Sequence, residues 1–141
     1  MNDQMAVEKW NGFIALMVEA KLSNITERDR ALYLAFWYQS EVNNGGHLQY
    51  FLNRSAMDPV HETASAIRAL RVNTMARVLV DAISLWRTKE RPSIEKAKDY
   101  VDEALEAEFE ALDARFAVYE NDLLLAMEAT VLNDLPLPRP E

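Results

Sequence analysis

Val7, Trp10, Phe13, Ile14, Met17 and Val18 recur at three- and four-residue spacing, which predicts an amphipathic helix over about residues 5–20. Thr26, with Asp29 three positions on, resembles a capping box with the shorter acid and opens a second helix running to about Asn43. On that helix Ala31, Leu34, Ala35, Tyr38 and Val42 form one stripe, and Leu32, Phe36 and Trp37 broaden it. So wide an apolar face suits a central helix touched by several neighbours. A short helix follows over His47–Arg54, and Ser55–Pro59 reads as a loop with Asp58 as N-cap and Pro59 at the first helical position. Ala64, Ile67 and Leu70 continue from Val60 for three turns. After a break near Arg71, Asn73 or Thr74 caps a helix carrying Val72, Met75, Ala76, Leu79, Val80, Ile83 and Trp86, with one long bent helix as the competing reading. Lys89–Ser93, KERPS, is a loop by composition. Ile94, Ala97, Val101, Leu105, Phe109, Leu112 and Phe116, then Tyr119, Leu123, Met127 and Val131, keep one face apolar to the end of the pattern. A single helix of that length would exceed roughly 50 Å, so a turn is expected near Leu112–Asp113, with Asp113 as the next N-cap. No stretch alternates with period two long enough for a strand. The expected fold is all-α, one domain over 1–135 of about six to seven helices, with a flexible proline-rich tail at 136–141.

The pattern is interrupted once, by a dense polar insert. Glu41, Asn43 and Asn44 precede the adjacent Gly45 and Gly46, and His47, Gln49 and Asn53 are interleaved with Tyr50, Phe51 and Leu52. Two glycines remove two side chains and admit positive φ, so this is read as a helical corner between helix two and the short third helix. If the polar groups are enclosed they must be hydrogen-bonded, which fixes the corner's angle. Glu41 with His47 could form a general acid–base pair, but no nucleophile, metal cluster or anion cradle accompanies them, and a structural network is the plainer reading. NNGG lacks the spacing and the lysine of a phosphate loop. His61 reads as a surface residue.

Composition narrows the chemistry. With 141 residues the chain suits one hydrophobic core. No cysteine is present, which excludes disulfides and thiolate chemistry, and two histidines do not make a histidine-rich metal site. No cofactor and no metal are implied. No basic leader or 18-residue apolar run occurs, so a cytoplasmic protein without a membrane role is expected. The formal net charge is −8. From Asp99 to Asp134 eleven acidic side chains face only Arg115, a local −10, so the remainder sums to +2. That window repels nucleic acid as a direct ligand and attracts a basic protein surface. The bland alternative is a solvated acidic face.

The segment Glu41-Val42-Asn43-Asn44-Gly45-Gly46-His47-Leu48-Gln49-Tyr50-Phe51-Leu52-Asn53 resembles the hallmark of a bacterial family of helical domains long of unknown function, built on an NGG to QYF core. The stretches HETASAIRALRVNTMARVLVDAISLW and LDARFAVYENDLLLAM resemble its later helices, so the likeness covers about residues 25–132. His47 replaces the aromatic residue usual after the glycines, and Arg71-Val72 stands where a small Gly-Ala step is frequent. The family includes a DNA-mimic protein, an acidic helical dimer that binds a helix-turn-helix repressor and keeps it off its operator. The resemblance implies no catalytic residues. It implies that Asn44, Gly45, Gly46, Gln49, Tyr50 and Phe51 shape the domain or line a pocket.

Two functional readings follow. In the first, Asp99, Asp102, Glu103, Glu106, Glu110 and Asp113, largely opposite the Val101–Leu112 stripe, form an acidic face for a basic, DNA-binding partner of helix-turn-helix type, with a role in transcription regulation. In the second, Glu41, Asn44, His47, Gln49 and Tyr50 line a small-ligand or enzymatic site at the glycine corner. An accessory protein without mimicry is the third possibility. The broad apolar stripes of the first two helices, with Trp10 and Trp37, lead us to expect a homodimer.

Overall fold

The structure is a computed structural model describing residues 3–89 and 98–133, with side chains at 28, 88, 89 and 98–106 outside that description. The described residues form five α-helices and no strand: α1 Asp3–Glu19, α2 Glu27–Arg54, α3 Val60–Ala69, α4 Asn73–Lys89 and α5 Lys98–Leu132. A 3-10 turn, Leu22–Asn24, joins α1 to α2. The six to seven helices expected are therefore five. The loop predicted over 89–93 and the tail at 136–141 lie outside the described residues, apart from Lys89, which closes α4. Among the described residues no helix is long and apolar enough to cross a membrane.

α2 is the central element. Leu32, Tyr33, Leu34, Ala35 and Phe36 are buried in succession, leaving this part of the helix no solvent face. It packs on α3 and α5, and α1 reaches it through Phe13, whose ring meets Phe36 edge-on at 6.1 Å. α3 and α4 pair with each other, and α4 also packs on α5.

The turn expected at Leu112–Asp113 does not occur. α5 runs unbroken for 35 residues, about 52 Å at 1.5 Å per residue, and buries Phe109, Leu112, Phe116, Leu123 and Met127 on one stripe. It contains no glycine or proline, and α1, α2 and α4 all pack against it, so its length is supported from outside. Lys9 on α1 donates to the Leu132 carbonyl at its C-terminus, at 3.4 Å. Asp113 is thus a mid-helix residue rather than an N-cap.

Two other caps differ in detail. Thr26 stands at the N-cap of α2, but its hydroxyl donates to the Asp29 carboxylate at 3.3 Å rather than accepting from the backbone. Asp58 does not cap α3. Pro59 holds that position, and Asp58 is buried against Arg54, which lies one turn before it. The break near Arg71 is a helix C-terminus in which Arg71 N–H bonds to Arg68 O at 2.8 Å and Val72 N–H to Ile67 O at 3.2 Å. Arg71 takes φ 67° there. Glycine adopts that conformation without the Cβ penalty of about 1–2 kcal/mol that a residue such as arginine carries.

Candidate functional site

Within α2 the backbone leaves helical geometry at Gly45 (φ −152°, ψ 16°) and Gly46 (φ 82°, ψ 179°), then resumes it. The interruption frees the His47 backbone N–H from the i−4 ladder, like a donor at the start of a new helix. Asp113 of α5 supplies its acceptor: Oδ1 lies 2.8 Å from His47 N and 2.7 Å from Nδ1. His47 Nε2 is 2.7 Å from the Tyr38 hydroxyl. An ionised carboxylate only accepts, so Nδ1 carries a hydrogen, and in the neutral ring Nε2 accepts from Tyr38. Burial, with smaller contributions from Tyr50 and Asp113, pushes the Tyr38 phenol well above its ordinary range, so it stays a donor.

The His47 ring is fully buried and packs against Phe109 (6.2 Å), Phe116 (6.1 Å) and Tyr38 (5.5 Å). The ring therefore sits among aromatic side chains and ties α2 to α5 through Nδ1, while Nε2 bonds Tyr38 across the kink within α2. A Tyr–His–Asp chain could relay a proton, yet Tyr38 and His47 expose no surface to a substrate. Its effect is to join two helices.

The remaining motif residues separate into different environments. Gln49 Nε2 and Asn53 Nδ2 both donate to Glu41 Oε1, at 2.8 and 3.1 Å. A Cβ at Gly45 would run into the Gln49 side chain, so the missing side chain makes room for this cluster. Asn44 is exposed, whereas Tyr50 and Phe51 are buried. Glu41 and His47, considered as a pair from the sequence, thus have different partners. The five residues proposed as a pocket lining do not share one environment. Among the described residues no group of three or more His, Asp or Glu is placed to hold a metal ion.

The acidic residues singled out from the sequence for a partner face all belong to α5. Asp99, Asp102, Glu103 and Glu106 belong to the helix, but their side chains are outside the described residues; Glu110 is exposed. Asp113, at the edge towards α2, is engaged with His47 and keeps a third of its side chain in solvent. Glu120, two turns further along that edge, accepts from Gln39 Nε2 at 2.8 Å. Arg115 binds Asp81 of α4 at 2.8 Å instead of an acid of its own helix. Glu128 is exposed. It returns to the face of Glu110 after 18 residues, about 27 Å along the axis. Tyr38, Glu120 and Glu128 are the participants that sequence reasoning missed. The first two meet partners remote in sequence, whereas the five-turn spacing of Glu128 from Glu110 was readable.

The sequence model of the DMP19-like protein family matches residues 23–133. Comparison with curated proteins and with solved structures gives no match.

Proposed function

The chain belongs to the DMP19-like protein family, and from this premise we propose that it is a DNA-mimic type of protein-binding module whose acidic face on α5 engages a basic, DNA-binding partner. The observation that carries the reading is the unbroken course of α5. Because no turn intervenes at Leu112–Asp113, the row Asp99, Asp102, Glu103, Glu106 and Glu110 shares one helical frame with Glu128. At three- and four-residue spacing such carboxylates stand about 5–6 Å apart on one face. A partner's phosphate-contacting Lys and Arg side chains can pair with a row of this kind. Arg115, the one basic side chain between Asp99 and Asp134, pairs with Asp81 of α4, which supports the reading.

The test is capture by the immobilised chain from the native cell extract, followed by salt elution. A basic or DNA-binding protein should be retained at low salt and released as salt rises. Glu106→Gln with Glu110→Gln should weaken capture and leave the thermal melt unchanged. Retention of no such protein at low salt overturns the proposal.

Assembly as a homodimer belongs to the same proposal. α1 exposes Met5, Val7, Leu16 and Val18, and α5 exposes Val118 and Leu125 beside the acidic face. Sedimentation at micromolar concentration should show twice the 16.2 kDa chain mass; a single monomeric species rejects it.

A further inference from the structure

A second site lies away from the acidic face. The end of α1, the 3-10 turn, α2 and the α2–α3 loop enclose a groove of about 730 Å³, within the range of small-molecule sites. Its apolar surface includes Val18, Leu22, Trp37 and Met57, and its charged groups are Lys21, Arg30, Arg54 and Asp58. In a chain of net charge −8 this lining is net positive.

The cations differ in what they have left to offer. Arg54 is buried, with its guanidinium stacked 4.3 Å from the Trp37 ring centroid. Its Nε and Nη2 donate to Asp58 at 2.9 and 3.1 Å, and Nη2 also donates to the Tyr33 hydroxyl at 3.1 Å. Nη1 has no partner among the described residues. Arg30 likewise spends Nε and Nη2 on Glu62 and leaves Nη1 open. Asp58 and Glu62 thus balance the two arginines, while Lys21 makes no ion pair among the described residues. The site presents donors without acceptors to match, one uncompensated positive charge, and an apolar wall.

We propose that this groove binds an amphipathic organic monoanion: a carboxylate or sulfonate head on Lys21 and the open Nη1 groups, and an apolar body along Val18, Leu22, Trp37 and Met57. One free charge selects a monoanion over a polyphosphate, and the acceptor-only head satisfies donors the fold leaves open.

The experiment uses the full chain with 8-anilinonaphthalene-1-sulfonate as fluorescent probe, and decanoate and decanol as competitors. Saturable one-to-one binding is expected, displaced by decanoate and much less by decanol. Lys21 and Met57 are exposed, so Lys21→Glu and Met57→Glu should keep the parent's melt while each weakens the probe roughly tenfold or more. Absence of saturable binding, or unchanged affinity in both variants, overturns the assignment. Probe affinity that falls as protein concentration rises would mark the groove as the seat of a second copy of the chain, and that overturns it too.

Discussion

Phe51→Ala is expected to lower the unfolding free energy by roughly 3–5 kcal/mol, the cost of deleting a fully buried phenyl ring. Phe51 has no exposed surface. Its ring stacks on Trp86 of α4 at 5.1 Å with an interplanar angle of 8°, and lies 5.7 Å from Phe109 of α5 and 5.1 Å from Tyr50. One side chain beyond the kink therefore touches both α4 and α5, and collapse of the void would require three elements to move together. A loss of this size is a large share of the 5–15 kcal/mol that holds a typical domain. Denaturant unfolding of Phe51→Ala beside Phe51→Leu gives the check. Leucine keeps most of the volume and should cost clearly less. A difference below about 1 kcal/mol between Phe51→Ala and the parent would mean that the ring does not hold α2, α4 and α5 together.

What the sequence revealed and what it hid divide along the range of the interactions. Apolar spacing located the helices, because burial of one face is written locally as a period. The breadth of apolar positions from Leu32 to Phe36 marked α2 as central, and all five are buried. The break at Arg71 was legible as a change of phase. Periodicity, however, gives the phase of a helix and not its continuity. Leu112–Asp113 was read as an end because a single helix would exceed roughly 50 Å and Asp is a good cap, whereas Asp113 is mid-helix and its carboxylate serves a backbone N–H of α2. Asp58 misled for the same reason: an Asp before Pro has a capping signature, but Arg54 one turn earlier takes it into a buried ion pair. His47 was singled out, yet its partner lies 66 residues away, and nothing near it in the chain names that partner.

The same distinction decides what the charge pattern can say. Clustering of acids between Asp99 and Asp134 is a property of the sequence. Which carboxylates remain available to a partner is a property of packing, and the edge of α5 towards α2 is already occupied at Asp113 and Glu120. The exposed row at Glu110 and Glu128 lies away from that edge. Position 113 therefore belongs to the frame that orients the acidic helix, and its replacement should affect stability first and partner capture through it.

That link gives the second large effect. Gly46→Val is expected to cost about 3 kcal/mol or more, from two sources. Gly46 holds φ 82° and ψ 179°, a backbone region essentially confined to glycine that costs an L-residue about 1–3 kcal/mol. In addition, a Cβ at Gly46 would stand 2.5 Å from Asp113 Oδ2 and 3.1 Å from its Cγ. The carboxylate must then shift, and Oδ1 of that group is the acceptor for both His47 N and Nδ1. Buried donors left without an acceptor cost a further 1–3 kcal/mol or so. Gly45→Val should be milder: Gly45 has no positive φ, and its obstacle is the flexible Gln49 side chain. A double-mutant cycle separates the two sources. Asp113→Ala alone removes the acceptor and destabilises, but in that background the valine at 46 has no carboxylate to displace, so its added cost should fall to the backbone strain alone. If Gly46→Val costs as much with Asp113→Ala as without it, the kink is not braced by α5, and the coupling assigned here between the glycine pair and the acidic helix is wrong.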